Sequence, residues 1–184
     1  NLVGSPGCGK TSLLEQVLAR LNEEVNLAVI EGDLYTSKDA VRLENIGPEI
    51  VQVNTGGACH LEADQVKKVV SELASEQLDC LIIENVGNLV CPASFDLGEE
   101  SKITVLSVPE GNDKPLKYPA MFEQSDVVIL NKIDLLAETN FSRKEFYQDL
   151  KSLRDNIKVF EASCATGQGI AQICDYFRNQ VTKK

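Results

Sequence analysis

The stretch Gly4-Ser5-Pro6-Gly7-Cys8-Gly9-Lys10-Thr11 fills every fixed position of G-x-x-x-x-G-K-[ST], and it restricts the possible folds more strongly than any other part of the chain. Such a loop works between a buried strand and the first turn of a helix, because its backbone N–H groups must curl round an anion that also meets a helix N-terminus. Both neighbours are legible. Leu2-Val3 precede the loop, and Leu13, Leu14, Val17, Leu18 and Leu21 follow at the spacing of one helical face. Gly4, Ser5, Gly7, Cys8 and Gly9 are expected to cradle phosphate, with Lys10 reaching the terminal phosphates and the Thr11 hydroxyl ligating Mg²⁺. Ser12 joins the same nucleotide-binding set. Cys8 is expected as a small filler that contributes its backbone, with a reactive thiol as the alternative.

Beyond the loop, short β-rich runs alternate with helical patterns. Strands are expected at Val25 to Ile30, Ile50 to Val53, Cys80 to Ile83, Ile103 to Val108, Val127 to Leu130 and Lys158 to Phe160. Helices are expected near Leu61 to Leu73, Ser142 to Leu153 and Ile170 to Val181. This rhythm implies a three-layer α/β fold with a mostly parallel central sheet and helices on both faces, forming one domain over residues 1–184. Ligands in such sheets bind at the carboxyl ends of the strands. A buried strand normally has about five or six residues. The two apolar residues before Gly4 therefore imply a shortened first strand and a natural N-terminal extension.

Composition excludes several other classes. The apolar runs are far shorter than the roughly 20 residues that span a bilayer, so no membrane segment is expected. A net charge of −10 without a Lys/Arg block argues against a nucleic-acid partner. Six cysteines with no CxxC pair and no signal peptide fit a reducing, cytoplasmic setting better than a disulfide framework. Cys80 and Cys174 fall in apolar patterns and are expected to pack in the core.

Asn131-Lys132-Ile133-Asp134 follows the Val127 to Leu130 run directly. A carboxylate at Asp134 can accept from both N1–H and the exocyclic amine of guanine, a donor pair that adenine lacks. Asn131 is expected to hold the loop and the base edge, and the Lys132 stem to lie along the purine face. Ser163, Cys164 and Ala165, after the Lys158 to Phe160 run, are placed to offer backbone N–H groups to the guanine carbonyl. Asp33, in Glu31-Gly32-Asp33, is the candidate partner of Mg²⁺. Glu84, in Glu84-Asn85-Val86-Gly87, is expected to hold a metal-bound water, and Gly87 to sense the γ-phosphate. Asn88 stands where many small GTPases place a water-orienting glutamine, so slow intrinsic hydrolysis is expected.

Cys59-His60 and Cys91 leave the same expected sheet edge, and thiolate with imidazole suits Ni²⁺ or Zn²⁺. Three ligands leave a shell to be completed by water, by a carboxylate such as Glu62 or Asp64, or by a second copy of the chain. Spacing alone leaves open a plainer reading, with buried cysteines and an unrelated loop histidine.

Taken together, GSPGCGKTSLL, EGDLYTSKDA, NTGGACHLEA, IIENVGNLVCP, DKPLKYP and NKIDLL resemble, over essentially the whole chain, the hydrogenase nickel-incorporation GTPases of the HypB family. The resemblance implies a dimerising P-loop GTPase that hydrolyses GTP to GDP. It implies Cys59, His60 and Cys91 as nickel or zinc ligands at a homodimer interface on the nucleotide face. The implied partners are nickel-insertion accessory proteins and the [NiFe]-hydrogenase large-subunit precursor. Urease-type nickel-insertion GTPases carry a Cys-Pro-His segment instead, which this chain lacks. The alternatives are that urease-type GTPase, which the missing segment disfavours, a passive metal-binding scaffold with a vestigial nucleotide site, and a small-metabolite kinase.

Overall fold

The computed structural model describes residues 1–33, 38–44, 46–73 and 78–181. Part of the EGDLYTSKDA stretch, residues 34–37, lies outside the described residues. Seven strands form one sheet: β1 (Leu2–Gly4), β2 (Leu27–Asp33), β3 (Glu49–Asn54), β4 (Cys80–Glu84), β5 (Ile103–Ser107), β6 (Val127–Asn131) and β7 (Lys158–Glu161). The helices are α1 (Lys10–Leu21), α2 (Lys38–Glu44), α3 (Ala63–Glu72), α4 (Lys114–Lys117), α5 (Pro119–Gln124), α6 (Arg143–Leu153) and α7 (Ile170–Val181). The sheet order is β3-β2-β4-β1-β5-β6-β7, and every strand pair in it is parallel. The expected mostly parallel sheet is thus a fully parallel one.

Alternation along the strands builds the layers. In β6, Val127 and Ile129 join the core formed with α1 and α7, whereas Val128 and Leu130 join Phe122 of α5 and Phe146 of α6 on the opposite face. In β2, Leu27 and Val29 face the first of these cores, while Ala28 and Ile30 face Val66 and Val69 of α3. Both faces are covered, as a parallel sheet requires, and each fully buried Leu, Val or Phe contributes roughly 1.5 to 3 kcal/mol.

Local chemistry moves several boundaries. Val25 was expected to open a strand, but its N–H bonds Leu21 O at 2.9 Å and closes α1, so β2 starts two residues later. The Ile103 run stops at Ser107, whose N–H and hydroxyl both donate to Glu110 Oε1 at 2.7 Å; this capping turns Val108–Glu110 into a 3₁₀ turn. Leu61 lies outside α3, which begins with a capping box in which Glu62 N donates to Gln65 Oε1 at 2.9 Å. The short helices α2, α4 and α5 carry too little periodicity to announce themselves in the sequence.

Candidate functional site

The carboxyl ends of β1, β2, β4 and β6 carry the motifs picked out in the sequence to one edge of the sheet. There the loop from Gly4 to Gly9 turns into α1, with Gly9 at φ 99° in the left-handed region. A side chain at Gly9 would run into the Asn131 amide, and one at Gly4 into Val105 O, so both close approaches require glycine. Lys10 folds over its own loop, with Nζ donating to Gly4 O at 3.4 Å and Ser5 O at 3.5 Å. Thr11 Oγ1 donates to Glu84 Oε1 at 2.8 Å. These groups border a cavity of about 370 Å³, which Ser12, Asp33, Gly87 and Lys132 also line. Its donor set, one hydroxyl among carboxylates beside an ammonium, has the chemistry of a magnesium-triphosphate site.

Cys8 is completely buried, and burial pushes its thiol up to about 11. Its carbonyl is a structural acceptor, taking a bond from Asn131 Nδ2 at 3.0 Å. Asn131 Oδ1 in turn accepts from Cys164 N at 3.3 Å, and Ile133 N donates to Ala162 O at 3.2 Å. One asparagine thereby joins the phosphate loop, the Asn131–Asp134 turn and the Ser163–Ala165 loop. Lys132, at φ 59°, spans back to Gly7 O with its ammonium at 2.7 Å. Asp134 and Ala165 are exposed beside these loops, Ser163 is buried, and none of the three lines the cavity itself.

Three residues of this edge escape a reading by motif. Glu31, buried at the end of β2, lies opposite Glu84 in the β2–β4 register. Arg42 of α2 lines the cavity, where it pairs with Glu15 at 2.7 Å and donates to Ser12 Oγ at 3.2 Å. Asn85, also buried, accepts from Leu61 N at 3.1 Å and Val86 N at 2.9 Å through one oxygen. Glu31 and Asn85 stood inside motifs already singled out, without a role of their own there, and Arg42 stood outside them.

The thiols of Cys59 and Cys91 and the ring of His60 converge, with one ligand atom from each lying within 4.8 Å of the others. Among the described residues this is the group able to hold a metal ion, and Glu62 and Asp64 do not join it. Cys59 Sγ is 3.6 Å from His60 Nδ1 and 2.7 Å from Cys91 Sγ. The bond with Cys91, together with desolvation, raises the Cys59 thiol above its ordinary value. A tetrahedral zinc shell has sulfur–nitrogen edges of about 3.5 Å and sulfur–sulfur edges of about 3.8 Å, from bonds of about 2.0 to 2.3 Å. The first edge is preformed; the thiols must part by about 1 Å to admit an ion. The His60 ring stacks on Phe95 with centroids 3.7 Å apart and planes at 20°, and its buried Nε2 has no hydrogen-bond partner.

Asn88 connects the two halves. Its N–H donates to Gly4 O at 2.9 Å, making an isolated antiparallel bridge with the phosphate loop. Its side-chain amide donates to Cys59 O at 3.2 Å. Nearby, a Cβ on Gly87 would come within 2.9 Å of Pro6, and one on Gly32 within 2.8 Å of the buried Leu61 side chain. The Cys59–Leu61 segment is therefore in contact with Gly32 of β2 and with Asn88, which in turn bridges to the phosphate loop.

Residues 1–161 match the profile of the CobW/HypB/UreG nucleotide-binding domain. The hydrogenase maturation factor HypB of Escherichia coli K12 is 47% identical over 180 residues, covering 98% of this chain, which spans 62% of that protein's length. The hydrogenase/urease maturation factor HypB of Helicobacter hepaticus is 45% identical over 184 residues, covering 98% of this chain and 75% of its own. The crystal structure of HypB from Helicobacter pylori in complex with nickel superposes with a TM-score of 0.92 at 40% identity, over 100% of this chain and 86% of that one. With its parallel sheet, its phosphate loop and these relatives, the chain belongs to the CobW/HypB/UreG family of P-loop GTPases, on the HypB branch.

Proposed function

We propose that this chain is a GTP-hydrolysing metallochaperone that carries nickel, or zinc, and supports nickel insertion into [NiFe]-hydrogenase. The observation that carries the reading is Asn88, bonded at once to Gly4 of the phosphate loop and to Cys59 of the metal trio. A passive scaffold has no need of that link.

In this reading the Gly4–Ser12 loop holds the phosphates, Lys10 neutralises charge as it develops on the γ-phosphoryl group, and Gly87 offers its N–H to the γ-phosphate. Thr11, Asp33 and Glu84 would hold Mg²⁺, which would supply charge neutralisation at the phosphates. Asn131, Lys132 and Asp134, with the backbone of Ser163, Cys164 and Ala165, select guanine. Asn88, not a glutamine, directly follows Gly87, so intrinsic turnover is slow. Cys59, His60 and Cys91 bind the transported ion through three ligands, and the fourth position falls to water or to a second copy. A homodimer through the nucleotide and metal face completes the shell in the GTP state, and hydrolysis loosens it for transfer to accessory proteins and the hydrogenase large-subunit precursor. The Helicobacter hepaticus relative, named for hydrogenase and urease alike, makes urease a second recipient to test.

Native mass spectrometry tests the reading: nickel is titrated into wild type and Cys91→Ser with GDP or a nonhydrolysable GTP analogue bound. The expected result is tighter nickel binding and more dimer with the analogue, both lost in Cys91→Ser. Identical metal affinity and oligomeric state with the two nucleotides would sink the reading.

A further inference from the structure

Lys102 stands just before β5 and is 7% exposed. A buried ammonium is costly unless its protons are matched by acceptors. Lys102 Nζ has four: Pro92 O at 3.2 Å, Phe95 O at 3.4 Å, Gln124 Oε1 at 3.3 Å and the Glu99 carboxylate at 3.4 Å. Two of these are carbonyls of the segment that follows Cys91. Pro92 adjoins that ligand, and Phe95 carries the ring stacked on His60. Pro92 and Ala93 are buried, Ala93 in the core beside Phe122. Ser94, Phe95 and Asp96, by contrast, are exposed and wall an open cavity of about 420 Å³, where the Lys102 ammonium is the side-chain support of the Phe95 carbonyl. The base of the tether is firm, because the Lys102 backbone exchanges bonds with Asp126 at 2.9 and 3.0 Å.

We propose that Lys102 is a positioning residue of the metal centre: by holding Pro92 O and Phe95 O with one ammonium, it sets the Cys91 thiol and the ring that orients His60. The inference rests on the metal-carrier reading above. A residue of this kind, which touches no metal, typically changes affinity by about 10- to 100-fold when removed. A purely structural lysine would change the melting temperature and leave the metal's electronic spectrum as it was.

The test uses the GDP-bound full chain of wild type, Lys102→Met and Phe95→Leu, with circular dichroism confirming the fold. Ni²⁺ affinity is measured by competition with a chromophoric chelator, and the thiolate-to-cobalt charge-transfer band is recorded with Co²⁺. Folded Lys102→Met should bind Ni²⁺ at least about 10-fold more weakly and lose about half of the band, as one of two thiolates leaves the shell. Wild-type affinity with a wild-type band in Lys102→Met overturns the proposal. Should that variant not fold, Phe95→Leu, at a 43% exposed position, decides: a weaker site supports the bracket and an unchanged one overturns it. A wild-type chain that bound neither ion would overturn the metal-carrier reading, and this inference with it.

Discussion

Thr11 Oγ1 donates to Glu84 Oε1 across 2.8 Å, joining the first turn of α1 to the end of β4 in a buried setting. The hydroxyl proton is committed to the carboxylate, which leaves the oxygen lone pairs available for the Mg²⁺ of the proposed function. Glu84→Gln is expected to lower GTP hydrolysis by about 100-fold or more and to change GDP affinity only a few-fold, because the amide keeps the shape and loses the charge. Phosphate release and fluorescent-nucleotide titration measure the two separately. Lys10→Ala should abolish turnover, whereas a passive binder would show no turnover to lose.

Asp134 is exposed at the mouth of the base loops, with nothing among its own turn to replace its carboxylate. Asp134→Ala should weaken GDP binding by about 100-fold and leave ADP binding unchanged, since a lost pair of charge-assisted bonds is worth roughly 3 kcal/mol. Equal losses for both nucleotides in competition titrations would assign Asp134 to loop structure instead.

Asn88→Ala removes the bond to Cys59 O and keeps the backbone bond to Gly4 O. The ratio of nickel affinities with GTP analogue and with GDP is expected to move towards one, and by linkage the ratio of nucleotide affinities with and without nickel must move equally. Calorimetry in both directions checks this; a ratio unchanged from wild type would assign the coupling elsewhere.

Cys8 is a pH probe of the phosphate loop. Burial raises its folded pKa to about 11 from the ordinary thiol value, so the folded chain favours the neutral thiol. Its contribution is complete below the unfolded pKa and fades as pH rises through the folded one, at most about 3 kcal/mol in all. Thermal melts should therefore show wild type losing more stability than Cys8→Ala between about pH 9 and 11. The thiol should also resist alkylation at pH 8 in the folded chain.

The strands are legible in the sequence because a sheet covered on both faces makes each of them a compact apolar run, as in Val127-Val128-Ile129-Leu130. The phosphate loop is legible because its backbone shape demands glycine at Gly4 and Gly9. Cys59, His60 and Cys91 are legible as ligand types, yet their meeting depends on the loops that leave β3 and β4. What local pattern cannot carry is pairing across the fold. Glu31 meets Glu84 through strand register, Asn85 meets Leu61 across 24 positions, and Asn88 meets Cys59 across 29. Lys102 reads as an ordinary charge until its four acceptors gather round it.

Only Leu89 and Val90 separate the Asn88 bridge to the phosphate loop from the Cys91 thiol, and Leu89 is buried at 5% exposure. This segment is a ruler. One inserted residue would leave both motifs spelled correctly and set them out of phase, whereas substitutions there keep the measure. Among descendants of such a chain, the count of residues between Gly87 and Cys91 is therefore the quantity that inheritance must preserve, ahead of the identity of those residues.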